Sequence, residues 1–165
     1  MFDTIAGLPV HVLVIHAVVV LTPIAAILAL GYAARPQWRR ALRWPTVGLA
    51  VVSAASAFVA AESGENLERR LTSIGEHSDA LEAHTEAGDV AKVVIAIFAV
   101  VVLVAASWAL RPGQPAPGPI AIVAMLLLVA ASVAAIWFVF QAGHTGAQVA
   151  WGDVTSKTRL VPDAD

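Results

Sequence analysis

The sequence predicts an all-α integral membrane protein. Its expected form is an antiparallel bundle of four transmembrane helices, with an amphipathic helix in the outer loop between spans two and three. Three observations predict it. First, 59% of the 165 residues are hydrophobic and only 13% are charged, with a mean hydropathy of +0.79. A soluble domain is about 45–50% apolar and about 25% charged, and so short a chain has no interior large enough to hide this much apolar surface. Second, four apolar segments reach the roughly 20 residues that a helix needs to cross a bilayer core of about 30 Å. Third, the linkers between them alternate in charge.

Span one runs from about 9 to 34. No Lys or Arg precedes it and the apolar stretch is long, which sets it apart from a signal peptide. Pro23 lies inside it and is expected to kink the helix, because proline removes a backbone hydrogen bond and clashes one turn back. The next linker, Arg35 to Arg43, holds four arginines and no acid. Span two runs from about 44 to 61. Ser53, Ala57 and Ala61 repeat every four residues on it, a small-residue stripe that lets helices approach closely.

The loop from 62 to 89 is acidic but patterned. Leu67, Leu71, Ile74 and Leu81 share one helical face, with Gly75 a candidate break because glycine costs about 1 kcal/mol inside a helix. The segment is expected to lie over the outer mouth of the bundle. Span three runs from about 90 to 110, and its linker, Arg111 to Gly118, again lacks acids. Span four runs from about 119 to 142, with Ala130, Ala131, Ala134 and Ala135 as packing residues. The membrane domain covers 1–152, and 153–165 reads as a polar C-terminal tail.

All twelve acids fall on the side that carries both termini and the 62–89 loop. Lysines and arginines divide evenly between the sides, but four arginines packed between spans one and two mark the inner side. Both termini are therefore expected outside. Tyr32, Trp38, Trp44 and Trp108 then form an inner aromatic belt, and Trp151 lies at the outer one. The absence of cysteine excludes disulfides, thiolate metal sites and cysteine nucleophiles. A net charge of −2 with no long basic run disfavours nucleic-acid binding. No phosphate-binding glycine loop, dinucleotide fingerprint or G-x-S-x-G elbow is present.

On this topology all five histidines reach the outer side. His11 and His16 lie early in span one, His77 and His84 in the outer loop, and His144 at the end of span four, flanked by Gly143 and Gly146. His77 and His84 both fall on the apolar stripe of the loop, which aims them at the bundle. Five incidental histidines would scatter over both sides, although His77 in an acidic loop also reads as plain surface. His11 and His16 are five apart, about 140° around a helix, so they do not share a face without distortion. Glu65 continues the small-residue stripe of span two and is expected to point inward at the level of the histidines; Glu62 and Glu86 are the other nearby carboxylates. Imidazole is the commonest metal ligand and is usually oriented by a carboxylate or carbonyl. Two imidazoles from different helices can also hold haem iron axially. A fully carboxylate di-iron site is disfavoured, since no Glu-x-x-His pair occurs.

Four short motifs carry a family resemblance. The run Gly7-Leu8-Pro9-Val10-His11 through His16 resembles the opening of the bacterial membrane family called domain of unknown function 2231. Glu62-Ser63-Gly64-Glu65 is similar to that family's glycine-acid turn after its second span. His84 is similar to its histidine before span three, and Gly143-His144-Thr145-Gly146 to its Gly-His-x-Gly segment. The motifs occur in order over about residues 5–152. Val12 stands where the family has proline after the first histidine, and the nearest proline after His16 is Pro23. The resemblance implies a multi-pass protein of the bacterial inner membrane. Relatives that resemble fusions to a Rieske-type iron–sulfur domain imply electron transfer. His77 belongs to none of the motifs.

The leading expectation is a redox protein that holds haem b through axial ligands drawn from His11, His16, His84 and His144. Glu62, Glu65 and Glu86 would orient those ligands, and a redox partner would dock on the outer side. The alternative is a bare zinc, copper or iron ion held by the same histidines and glutamates. A third reading is a non-catalytic accessory subunit of a membrane complex. Electron transfer or binding suits a chain without a nucleophile motif better than hydrolysis does, and the small-residue stripes permit a homodimer.

Overall fold

The computed structural model describes residues 4–5, 7–113 and 118–158. A short antiparallel hairpin, β1 (Thr4–Ile5) and β2 (Leu8–Pro9), leads into helix α1 (Val10–Ala34). Gly7 turns that hairpin with φ +81°, a left-handed conformation that glycine adopts without steric cost. A 3-10 turn (Pro36–Trp38) joins α1 to α2 (Arg39–Ser73). Helix α3 (Asp79–Val104) follows and loosens into a π turn (Ala105–Ala109), and α4 runs Pro119–Thr158. α1 continues as helix through Pro23 without interruption.

Each helix is long and apolar enough to cross a membrane. Large apolar side chains such as Val20, Ile27, Val100 and Leu126 face outward at more than half their full exposure. Helices apolar all round belong in hydrocarbon, where the backbone must be satisfied internally. The four helices form a ring in which α1 packs on α2, α2 on α3, α3 on α4, and α4 back on α1.

The expected separate outer helix is corrected by the structure. At 1.5 Å per residue, the 35 residues of α2 and 40 of α4 extend roughly 50–60 Å, well past a core of about 30 Å. The 62–89 segment is the far end of α2 and the start of α3. Residues 67–71 (Leu-Glu-Arg-Arg-Leu) are good helix formers and no proline or helix cap precedes them in α2 past the membrane edge, so α2 runs on through Ser63, Gly64 and Asn66. Gly75 stops it, at φ +87°, with Gly75 N–H donating to Thr72 O and Glu76 N–H to Leu71 O. This is the paired-carbonyl glycine cap of a helix C-terminus. Ser78 then caps α3 by accepting from Leu81 N–H at 3.2 Å, with Asp79 and Glu82 in the first turn, where the helix dipole favours acids. Ile74 and His77 therefore lie exposed at the tip rather than on a stripe facing the bundle. The Glu62–Glu65 motif is likewise not a turn; it lies inside α2. Residues 153–158 of the expected tail continue α4, and the remainder of the tail lies outside the described residues.

The core has two parts. Near the arginine end, Ala25, Ala29, Tyr32, Ala50, Phe98 and Leu110 pack together. Near the histidine end, Val18, Ala57, Ala60, Ala91, Ile95 and Val139 do so. Ser53 and Ala57 are buried as the small-residue stripe predicted, whereas on α4 Ala135 is buried and Ala130 faces out. The helix ends at the arginine side leave carbonyls without helical partners. Tyr32 donates its hydroxyl to Leu110 O at 2.7 Å, and the nearly buried Arg39 donates Nε–H to Tyr32 O at 3.2 Å.

Candidate metal or haem site

The second residue of α1 is His11. Its Nδ1 lies 2.8 Å from the carbonyl oxygen of Ala60 on α2. A carbonyl only accepts, so Nδ1 carries the proton and Nε2 keeps its lone pair. The ring lies flat against α2 at Gly64, where a Cβ would come within 3.0 Å of His11 Nδ1.

His84, on the second turn of α3, repeats this arrangement against α4. Its Nδ1 lies 3.2 Å from Thr145 Oγ1. That hydroxyl spends its one proton on Gln141 O or Ala142 O, at 3.2 and 3.1 Å. It therefore accepts from Nδ1–H, and His84 Nε2 also keeps its lone pair. A Cβ on Gly146 would stand 2.9 Å from the His84 ring.

The two imidazoles meet across the ring of helices, from α1 and α3, with centroids 6.0 Å apart and planes at 78°. Two imidazoles on opposite sides of one ion, each with nitrogen at about 2.0–2.1 Å, place their centroids roughly 6 Å apart. The apolar cluster around Val18, Ile95 and Val139 lies toward the membrane from this pair. On the other side, a cavity of about 70 Å³ reaches His11 between the hairpin (Thr4, Pro9) and α2 (Ser63, Asn66, Arg70).

The structure does not bring His16 or His144 to the pair. His16 is exposed on the outer face of α1, with Nδ1–H on Val12 O at 2.6 Å. His144 points out from α4, stacked on Phe140 at 6.1 Å and 3.3 Å from Gln148 Nε2 through its own Nε2. Glu62 and Glu65 act electrostatically on Lys92 of α3, which pairs with Asp89 at 2.8 Å. Glu86 is exposed. Among the described residues no carboxylate hydrogen-bonds either imidazole, and no three His, Asp or Glu side chains gather in a metal-binding group.

The contributions of Ala60, Thr145, Gly64 and Gly146 are not evident from the motifs alone. The glycines offered one signal: each interrupts an otherwise helix-forming run, where glycine is costly unless a close approach requires it. Gly143, by contrast, has open space where a Cβ would go.

These donors match haem iron in one respect, since the macrocycle leaves two axial positions for protein ligands. They match it poorly in another. Both rings are seated against helix backbone, and a 70 Å³ cavity does not admit a macrocycle in this packing. No curated protein and no solved structure matches the chain. One family model does, over residues 7–159, and it covers β2, all four helices and both imidazoles. The chain therefore belongs to the DUF2231 family of predicted membrane proteins.

Proposed function

We propose that this membrane protein transfers electrons through a metal centre held by His11 and His84. One observation carries the reading: two imidazoles from different helices lie edge-on at 6.0 Å with both Nδ1 atoms committed to protein oxygens, so that each Nε2 keeps a lone pair. An outer hydrogen bond of this kind fixes tautomer and ring orientation in metal-ligating histidines. Donor number favours haem b, but the packing that leaves no slot for a macrocycle makes it the second reading. Haem iron takes two axial protein ligands, whereas a bare zinc site takes three or four.

A bare copper or iron ion is the first reading. The close seating of both rings on Gly64 and Gly146 favours it, since an ion needs no slot. Imidazole suits both metals, and small exogenous ligands arriving through the cavity beside His11 would complete the coordination. We further infer that the histidine end faces outward from a bacterial plasma membrane, with both termini on that side and a redox partner docking there. The arginine-rich loop between α1 and α2 supports this orientation.

The test is one preparation, expressed with adequate haem and metal supply and purified in detergent. A Soret band that shifts on dithionite, and is lost in His11→Ala and in His84→Ala, supports haem. Stoichiometric copper or iron without porphyrin, lost in the same variants, supports the bare ion. Colourless, metal-free protein overturns both readings and leaves an accessory subunit.

A further inference from the structure

Arg35, Arg39, Arg40, Arg43 and Arg111 gather at the end opposite the histidine pair, and the chain supplies that end with no acid. No Asp or Glu occurs from residue 4 to 61 or from 90 to 152. The nearest acid on α2 is Glu62, roughly 35 Å beyond Arg39 at 1.5 Å per residue. No ion pair spans that distance.

Arg39 is the most demanding of these charges, because it is only 9% exposed. Its Nε–H donates to Tyr32 O, its Nη2 reaches Met125 Sδ at 3.5 Å, and its guanidinium lies 5.8 Å from the Tyr32 ring centroid. A carbonyl in the last turn of α1, a thioether and a ring face all attract a cation, but none cancels its charge. A buried charge is costly unless it is paired. Arg43 follows one turn later on the same face of α2, half-buried, and both guanidiniums act electrostatically on the Tyr32 hydroxyl. Thr46 continues that face, and among the described residues its buried Oγ1 has no hydrogen-bond partner. This face of α2 therefore presents donors and positive charge with nothing negative from the chain to meet them.

We infer that Arg39 and Arg43, flanked by Arg35, hold the phosphate of an anionic phospholipid where α1 turns into α2. Depth selects the lipid. Trp38 and Trp44 are exposed beside these arginines, with Arg35 5.7 Å and Arg43 4.9 Å from the respective ring centroids. Indoles of this kind mark the level of phospholipid headgroups. Exposed apolar side chains on both helices, Ile27 and Val51, lie farther toward the membrane core. A lipid phosphate reaches the guanidiniums while its acyl chains run along such side chains; a free phosphate ion gains only the first contact. Arginine suits the task, since its planar fork binds phosphate bidentately, and basic pockets between membrane helices hold anionic headgroups. A choline headgroup would bring its own cation against the cluster, so the preference is for a net negative lipid.

The test uses the full chain, purified in detergent, delipidated, and titrated with phosphatidylglycerol, phosphatidylcholine or inorganic phosphate. Native mass spectrometry should show phosphatidylglycerol bound several-fold more tightly than phosphatidylcholine, and thermal melts should rise with it. Arg39→Gln and Arg43→Gln should each weaken that binding several-fold and remove the thermal gain. Arg40→Gln, which deletes the same charge from an exposed position at the same end, and Arg69→Gln at the histidine end should retain both. Should the buried Arg39→Gln fail to fold, Arg43→Gln with unchanged circular dichroism carries the comparison. Equal loss in Arg40→Gln and Arg43→Gln reveals a diffuse surface field and overturns the site. An equal thermal gain from inorganic phosphate overturns the lipid as its ligand. No preference for phosphatidylglycerol overturns the proposal and leaves an acidic protein partner as the counter-charge. None of these readouts depends on whether the histidine pair binds metal.

Discussion

His11 and His84 come from helices that do not neighbour each other in the ring, yet their imidazoles stand 6.0 Å apart. Each is held by the helix lying between them, through one oxygen and one glycine: Ala60 O and Gly64 from α2, Thr145 Oγ1 and Gly146 from α4. The pair is thus the point where all four helices meet at the histidine end.

The glycine seats make the first prediction. Gly64→Ala and Gly146→Ala each place a methyl within about 3.0 Å of an imidazole. Overpacking of this kind costs about 1–3 kcal/mol, so both variants should lose thermal stability and metal or haem content together. Gly143→Ala has open space and should gain up to about 1 kcal/mol from helix propensity. Thermal melts in detergent, read beside optical spectra, check the contrast.

The second prediction separates the histidines. His11→Ala and His84→Ala should abolish the spectroscopic or metal signal. His16→Ala, His77→Ala and His144→Ala should leave it unchanged, because all three lie exposed and away from the pair. A spectrum altered by His16→Ala and not by His84→Ala would reverse the assignment.

The third concerns the opposite end. Tyr32→Phe removes the hydroxyl that satisfies Leu110 O at 2.7 Å in a buried setting. Leaving a buried acceptor unpaired costs about 1–3 kcal/mol. The melting temperature should fall while the signal at the histidine pair persists, which an unfolding curve and a spectrum of the same sample would show.

The fourth has the opposite sign. Among the described residues, Thr22 Oγ1 and Ser53 Oγ are buried without a hydrogen-bond partner. Thr22→Val and Ser53→Ala remove a polar group that nothing in the protein compensates, so each should be neutral or stabilising by about 1 kcal/mol. Ser132→Ala instead removes a bond to Leu128 O at 2.7 Å and should be mildly destabilising. Denaturation of the three variants side by side decides it.

Some of the site was legible in the residues and some was not. His11 and His84 stood out because an imidazole near an apolar span needs a partner. His16 and His144 stood out equally, since spacing along one helix does not reveal which face the bundle covers when every face is apolar. The acids were misleading for the same reason: Glu62 and Glu65 lie near the histidine end of α2, but neither hydrogen-bonds either imidazole, and both act electrostatically on Lys92. Gly75 reads in the sequence as a candidate break, and the structure makes it one, with Gly75 ending α2 and Ser78 starting α3.

By itself the sequence determined the membrane fold. Four apolar runs of spanning length have only one way to satisfy their backbones in hydrocarbon, and that is as helices. It also determined that the histidines gather at the end opposite the Arg35–Arg43 linker, because alternating spans carry each linker to a known side. Only the tertiary structure decided which two imidazoles meet. That choice depends on helix rotation, and rotation is set by close packing: by the two glycines whose missing side chains let a ring lie against a neighbouring backbone.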